Sequence, residues 1–267
     1  MRENQPYSEL ICDYDVEAEV RDEDLYFEER SGKIKIERLH IKSERYQRTL
    51  QKRAGEYVSL HFEDVCSMSV EDEDALIDAF AGEFERLLGK VKICLVAGIG
   101  NGDFIADSVG KRTIKKIREG ERLKVMSADP SEHTGIESAD LILSVARSVG
   151  ADAVIAVDSV LTKSAERLFC TLQISDAGLA PGSALGAIKK PLNKEALGIP
   201  TLAVGVPVVI DSHSMIRDAL WALEVDESRA EKYVLNQKRL FLTPHGIELG
   251  VERLSYVIAR GIERALA

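Results

Sequence analysis

The order of apolar and polar positions changes near residue 90. Before it, residues 25–41 alternate apolar and charged side chains around Ser31-Gly32, which predicts a half-exposed β-hairpin. Residues 57–62 form a second short strand pattern, and residues 71–88 place apolar side chains at helical spacing, with Gly89 as a stop. The first part of the chain is therefore predicted to be β-rich, with one amphipathic helix.

From residue 90 onward, continuous apolar runs alternate with amphipathic segments, which is typical of buried parallel strands joined by crossover helices. The runs that predict strands are 91–97, 124–128, 153–157, 169–174 and 201–206, and helical spacing occurs over 106–118, 137–149 and 246–266. We therefore predict an α/β fold with a mostly parallel sheet. Residues 1–89 would form an N-terminal β-rich extension packed on a core of residues 90–267, the two making one structural domain.

Composition and charge favour a folded, globular protein and disfavour one that binds nucleic acid or spans a membrane. With 267 residues, 45% hydrophobic and 30% charged, the chain is long enough for a large buried core. A net charge of −10 repels nucleic acid and anionic lipid surfaces. No apolar run is long enough to span a membrane and no signal peptide is evident, so a cytoplasmic protein is expected. The four cysteines lack C-x-x-C spacing, which disfavours a zinc ribbon or a redox motif.

A glycine-rich block follows the first apolar run and invites a nucleotide-binding interpretation. It runs Gly98-Ile-Gly100-Asn101-Gly102-Asp103. A dinucleotide site needs a third glycine where Asp103 stands, and its charge would face the pyrophosphate. The Gly-Lys-Ser/Thr of a phosphate-binding loop is absent from the block as well. We predict no cofactor.

Two aspartates are the candidate catalytic groups. Asp107 follows the first strand at the start of a helix, and Asp158 ends the run 153–157. Carboxyl ends of parallel strands meet at one edge of a sheet, where ligand sites form. Two acids at that edge can share a proton, one acting as base toward water and the other as acid. Pattern alone leaves open the alternative that each acid caps a nearby helix.

Other candidates are weaker. Residues 177–186 form a Gly/Pro-rich loop, an ordinary surface turn or a substrate loop. Asp211, which closes a further apolar run, is interpreted as a helix cap. The five histidines lack the i, i+4 spacing of metal ligands, and there is no G-x-S-x-G elbow. Nucleophilic catalysis is therefore disfavoured.

At these residues the chain resembles the germination proteases, the spore endopeptidases that degrade small acid-soluble spore proteins. The resemblance rests on a G-x-G-N…D-x-x-G block and on six further segments in matching order and spacing. They are residues 98–110, 134–137, 154–158, 171–176, 181–183, 196–200 and 204–207. Order and spacing agree over residues 52–211, and weaker likeness extends over nearly the whole chain.

The resemblance implies an atypical aspartic-type endopeptidase in which Asp107 and Asp158 are catalytic and no metal is needed. To substrate binding we assign Asn101 of the first block and four residues of the later segments, Asp176, Gly178, Gly182 and Ser183. Small acid-soluble spore proteins are the expected substrate, the spore core the expected location, and a homo-oligomer the expected form. The chain departs from the family in having Ile105-Ala106 where Thr-Pro is usual, and in lacking most of an insertion between Ala222 and Thr243.

The family is also made as a zymogen that loses a short N-terminal piece at an acidic residue followed by an apolar one. Residues 11–18 loosely match that segment, which predicts self-cleavage after Asp13; a permanently mature enzyme with a short tail is the alternative.

Two other functions stay open. In the hydrogenase-maturation endopeptidases a similar block and two acids bind nickel together with a histidine, so Asp107 and Asp158 could be metal ligands. A chain of the same fold could also be a catalytically silent scaffold or binding module. The presence of both acids disfavours the scaffold, and the Asp-Ala-Gly and Pro-Gly-Ser segments fit the spore family better.

Overall fold

One nine-stranded sheet organises the molecule. The structure is a computed structural model that describes residues 9–14, 26–128, 135–179 and 190–267. The strands are β1 (Tyr26–Ser31), β2 (Ile34–Ile41), β3 (Gly55–His61), β4 (Cys94–Ile99), β5 (Leu123–Ala128), β6 (Ala153–Thr162), β7 (Thr171–Ser175), β8 (Thr201–Asp211) and β9 (Phe241–Leu242). Their order across the sheet is β1-β2-β3-β7-β8-β6-β4-β5, and β9 pairs with β8.

The sheet is mixed rather than mostly parallel. Strands β5, β4, β6 and β8 run parallel, whereas β7, β9 and the three strands of the N-terminal extension pair antiparallel. The predicted α/β fold with a β-rich extension is confirmed. Strand β7 was expected among the parallel strands and runs the other way, because residues 163–170 are too few for a crossover helix. Since β3 pairs with β7, the sheet continues across residue 89 without a break.

Helices cover both faces of the parallel strands. They are α1 (Glu44–Leu50), α2 (Val70–Leu88), α3 (Val109–Lys116), α4 (Ser138–Val149), α5 (Lys194–Leu197), α6 (Ser212–Ala222), α7 (Glu227–Leu235) and α8 (Ile247–Ala265). Helices α2, α3 and α8 pack on one face of the sheet, and α4 and α5 on the other. Within the described residues, no helix has the length and apolarity to cross a bilayer. Helices α1, α5 and α7 were not predicted, and α6 was expected only through the interpretation of Asp211 as a helix cap.

Burial on both faces explains the continuous apolar runs. Along β6, Ala153, Ile155 and Val157 face α2, α3 and α8, while Val154 and Ala156 face α4 and α5. Because side chains alternate along a strand, no polar position interrupts the run until residue 158. The first polar side chain of this strand therefore stands in line with Val154 and Ala156.

Candidate active site

Glycines let the loop after β4 press against the sheet. A Cβ on Gly98 would lie 2.4 Å from the carbonyl oxygen of Gly110, and one on Gly110 would lie 2.3 Å from that of Val157. Real side-chain carbons do not approach backbone so closely, so both positions need glycine. The glycine pattern that suggests a nucleotide site thus serves close packing of the start of α3 on β4 and β6.

The loop holds the carboxylate of Asp107 in place. Asp107 ends a short 3₁₀ helix, Ile105–Asp107, and its Oδ2 accepts a hydrogen bond of 2.7 Å from the backbone N–H of Asn101. The backbone N–H of Asp107 donates to the carbonyl of Phe104. Ser108, not Asp107, is the N-cap residue of α3. Asp107 is therefore not the N-cap of α3, the alternative that the sequence left open.

Asp158 stands level with the end of β4. Strands β4 and β6 pair from Cys94–Ala153 to Gly98–Val157, so the next residue of β6, Asp158, lies opposite Ile99, the last residue of β4. Asp158 is buried, and its Oδ1 accepts a hydrogen bond of 2.8 Å from the N–H of Ser159. Adjacent strands thus bring Asp107 and Asp158 to the same carboxyl edge of the sheet. Strand β6 does not end there, as the sequence suggested, but continues to Thr162.

The backbone of β6 shows to which side the Asp158 carboxylate turns. The N–H of Val154 donates to Pro200, just before β8, so even-numbered residues of this strand direct their backbone groups toward β8. Odd-numbered residues, including Ser159, direct theirs toward β4. Since Oδ1 of Asp158 accepts the Ser159 N–H, the carboxylate leans toward the side on which β4 ends and Asp107 follows.

Residues Glu9–Tyr14, which we call the N-terminal segment, contact the last residues of β6 at Glu9 and Asp13, and between them reach β7, where the N–H of Ile11 donates to Gln173 (2.7 Å). The N–H of Glu9 donates to the carbonyl of Leu161 (3.2 Å), and the N–H of Leu161 donates to Oε2 of Glu9 (2.9 Å). Asp13 accepts hydrogen bonds from the Thr162 hydroxyl and from the N–H of Lys163 (2.8 Å). The segment is therefore held at the carboxyl end of the strand that carries Asp158.

Three basic side chains hold the same segment. Lys52 donates to the carbonyl of Glu9 (2.7 Å), and burial lowers the pKa of its ammonium to about 8. Arg167 donates to the carbonyl of Cys12, and the ammonium of Lys163 lies 3.9 Å from the centre of the Tyr14 ring, with its pKa lowered by burial. Sequence reasoning missed all of these residues, because no local pattern shows that residues 9–14 lie beside residues 161–163.

Of the five residues assigned to substrate binding, the three that the structure describes, Asn101, Asp176 and Gly178, do not lie together. Asn101 positions Asp107, and its side-chain oxygen accepts from the N–H of Asp103. Asp176 accepts from the N–H of Glu56, and Gly178 follows β7, whose carboxyl end lies at the opposite edge of the sheet because β7 runs antiparallel to β8. A role in binding substrate stays a prediction for these three residues. Gly182 and Ser183 lie outside the described residues.

Asp211 was interpreted as a helix cap, and this prediction is confirmed. Its side chain accepts a hydrogen bond from the N–H of His213 in the first turn of α6 (3.0 Å). The other carboxylate oxygen accepts from Arg239. Asp211 is therefore part of the connection between β8 and α6 and does not contribute a third acid to the site.

Comparison with known proteins decides the family. The profile of the family described as germination protease matches residues 9–225. The chain belongs to the germination protease family. The matched residues begin with the N-terminal segment and include both aspartates, so they contain the whole candidate site.

Curated relatives agree over most of the chain. The germination protease of Caldanaerobacter subterraneus subsp. tengcongensis is 30% identical over 90% of this chain and 86% of its own length. That of Clostridium acetobutylicum is 27% identical, covering 87% and 85%. That of Bacillus pumilus is 34% identical over 70% of this chain and 56% of its own longer one. Among solved structures, a [NiFe] hydrogenase maturation protease, HycI from Thermococcus kodakarensis KOD1, is similar at 16% identity, with a TM-score of 0.41, over 68% of this chain and 99% of that one.

Proposed function

We propose that this protease is an endopeptidase that hydrolyses small acid-soluble spore proteins in the spore core during germination, with Asp107 and Asp158 activating water. The observation that carries the proposal is the placement of both acids at one carboxyl edge, on adjacent elements of a germination protease. No nucleotide or metal is required for this chemistry. One carboxylate takes a proton from water as it attacks the peptide carbonyl, and the other donates a proton to the departing amine.

The contacts of the two acids support a positioned pair. One oxygen of each carboxylate accepts a backbone N–H, from Asn101 for Asp107 and from Ser159 for Asp158. Backbone donors fix the orientation of a carboxylate without adding a charge to the site. Fixed orientation matters because general acid–base catalysis requires the acid and the base to lie within hydrogen-bond reach of the same water.

The direct test is cleavage of a spore protein. A purified small acid-soluble spore protein is incubated with the enzyme, and fragments are mapped by mass spectrometry. Discrete internal cuts that disappear in Asp107→Asn and Asp158→Asn variants are expected. An intact substrate would reject the proposed function, and nickel binding that both substitutions abolish would favour the metal-assisted alternative.

The zymogen is part of the same proposal. Asp13 and Tyr14 belong to the N-terminal segment, and the segment lies at the carboxyl end of β6 beside the candidate catalytic edge. Removing residues 1–13 would take away Glu9 and Asp13, which make the contacts with Leu161, Thr162 and Lys163. Self-cleavage after Asp13 would therefore clear that edge.

A homo-oligomer is proposed as well. Large apolar side chains stand exposed on and beside α6 and α7, most of all Trp221, Leu223, Tyr233 and Leu235. Contact with a second copy would cover them, since exposed apolar patches commonly mark association surfaces. Light scattering of the protein and of a Trp221→Ser variant tests this, because the variant is expected to shift toward monomer.

A further inference from the structure

The edge of β6 beyond Asp158 offers backbone groups to a further strand. The pairing of β4 with β6 runs as far as Gly98–Val157, while β6 continues to Thr162. By the alternation along this strand, Ser159 and Leu161 direct their N–H and carbonyl groups to the side that β4 has left. An extended chain is the natural partner for such an edge, because it satisfies these groups at regular intervals.

The N-terminal segment already uses this edge, although incompletely. At Leu161 the carbonyl accepts from a backbone N–H, that of Glu9, but the N–H donates to the side-chain carboxylate of the same residue. A side chain thus stands where the carbonyl of a paired strand would accept. At Ser159 the N–H donates to Asp158, and the hydroxyl, which is buried, has no hydrogen-bond partner within the described parts of the chain.

The edge of β6 runs from Leu161 back toward Asp158 and the neighbouring Asp107. A strand advances by about 3.3 Å per residue, so Leu161 lies about 10 Å along β6 from Asp158. A peptide paired with Leu161 and running along the edge would bring a bond about three residues away beside the two carboxylates. A peptide held by its backbone is recognised largely irrespective of its side chains, which suits cleavage of a protein substrate.

We propose that the β6 edge from Ser159 to Lys163 is the site where the substrate binds, as an extended strand that takes the place of the N-terminal segment. This inference rests on the proposed endopeptidase function, because it assigns to the substrate a path toward Asp107 and Asp158. Leu161 supplies the backbone pairing, and Ser159 lies between that pairing and the acids.

A reversible disulfide that holds the N-terminal segment in place tests the proposal. The N–H of Ile11, the neighbour of Cys12 in the segment, donates to Gln173 on β7 (2.7 Å), and Gln173 pairs with Ser59 on β3. A Ser59→Cys variant, oxidised with diamide, is expected to form a disulfide between Cys12 and the introduced thiol, which ties the segment to β3 and so prevents it from leaving the end of β6. Cleavage of a small acid-soluble spore protein by the oxidised, full-length protein should then stay at least about tenfold below that of the reduced protein, which can release the segment or remove it by self-cleavage. The matched control, Ser59→Cys combined with Cys12→Ser, should respond to neither treatment.

Unchanged cleavage by protein that intact mass and peptide mapping show to be locked would overturn the proposal. If the variant does not fold, hydrogen exchange on the unaltered enzyme replaces it. Adding the spore protein should expose the amides of Leu10 to Tyr14 while that of Leu161 stays protected. If the spore protein binds while the segment stays protected, the proposed binding site at the β6 edge is wrong and the proposed function stands. If the spore protein neither binds nor is cut, both the proposed function and this inference are wrong.

Discussion

The backbone N–H of Asn101 donates a 2.7 Å hydrogen bond to Oδ2 of Asp107, closing a loop of seven residues at the end of β4. The loop is tightened by bonds from the N–H of Phe104 to the Asn101 carbonyl and from the N–H of Asp107 to the Phe104 carbonyl. The carboxylate is therefore placed by backbone geometry that a change elsewhere in the loop would disturb.

Replacing either acid should stop catalysis. Asn keeps the shape of Asp but cannot exchange a proton, so Asp107→Asn and Asp158→Asn should each lower turnover on the order of 1000-fold or more. The double variant should lose little beyond either single one, because groups acting as a unit are strongly non-additive. Steady-state turnover of a spore protein measures all three, and the active pair should give a bell-shaped pH profile.

The same variants separate catalysis from capping. Asn caps a helix about as well as Asp, so an acid that only capped a helix would retain near-normal turnover as Asn. Full activity in either variant therefore rejects the pair. Unfolding curves that coincide with those of the unaltered enzyme would show that a loss of activity is not a loss of fold.

Gly100→Ala should reduce turnover by displacing Asp107. The φ of Gly100 is +103°, and an added Cβ would lie 2.2 Å from the carbonyl oxygen and 2.7 Å from the carboxylate of Asp107. The loop must shift to relieve this overlap, and a misplacement of about 1 Å in an active site can cost about 100-fold. The matched control is Gly120→Ala, where an added Cβ meets nothing within 4 Å. Equal turnover in the two variants would contradict a role for the loop in placing Asp107.

Local pattern was sufficient for the parallel strands and their helices. The apolar runs of β4, β6 and β8 could be predicted because both faces of each strand are covered, whereas β5, at the edge of the sheet, is only partly buried. The positions of the two aspartates could be predicted as well, because the chain alone shows that an acid follows a buried strand. Their common edge then follows from parallel pairing.

Long-range placement could not be predicted in the same way. The direction of β7 depends on its pairing with β3 and β8. The paired residues of β3 and β7 are more than a hundred positions apart in the sequence. The contact of Asp13 with Thr162 joins residues 149 positions apart. The sequence pattern also does not show that Asp176 accepts a hydrogen bond from the N–H of Glu56. The sequence of a Gly/Pro-rich loop is similar whether the loop binds substrate or contacts a neighbouring strand.

Glu37→Gln should destabilise the fold at neutral pH and not at low pH. Burial alone would raise the pKa of Glu37, but hydrogen bonds from His61 and Lys35 outweigh it and hold the pKa at about 2. A lowered carboxyl pKa stabilises the fold fully above the ordinary value near 4.5, and this contribution is lost as pH falls through about 2. Urea unfolding at pH 7 should show a loss of about 2 to 3 kcal/mol, shrinking toward pH 2. Glu44→Gln, which breaks an exposed pair with Arg48, should change stability by less than about 0.5 kcal/mol at either pH.

Mild acidification should produce a species shorter by thirteen residues if the enzyme processes itself after Asp13. In the structure Asp13 is held at Thr162, four residues along β6 from Asp158 and so about 13 Å from it. The bond to be cut is thus not beside the acids, and the segment must first leave the edge. Thr162→Val removes the hydroxyl that donates to Asp13 without changing the size of the side chain, so it should speed the appearance of the shorter species in intact-mass measurements. Asp158→Asn should prevent it. An unchanged mass in the unaltered protein and in Thr162→Val alike would favour a permanently mature enzyme, and processing that Thr162→Val leaves equally slow would show that this contact does not restrain the segment.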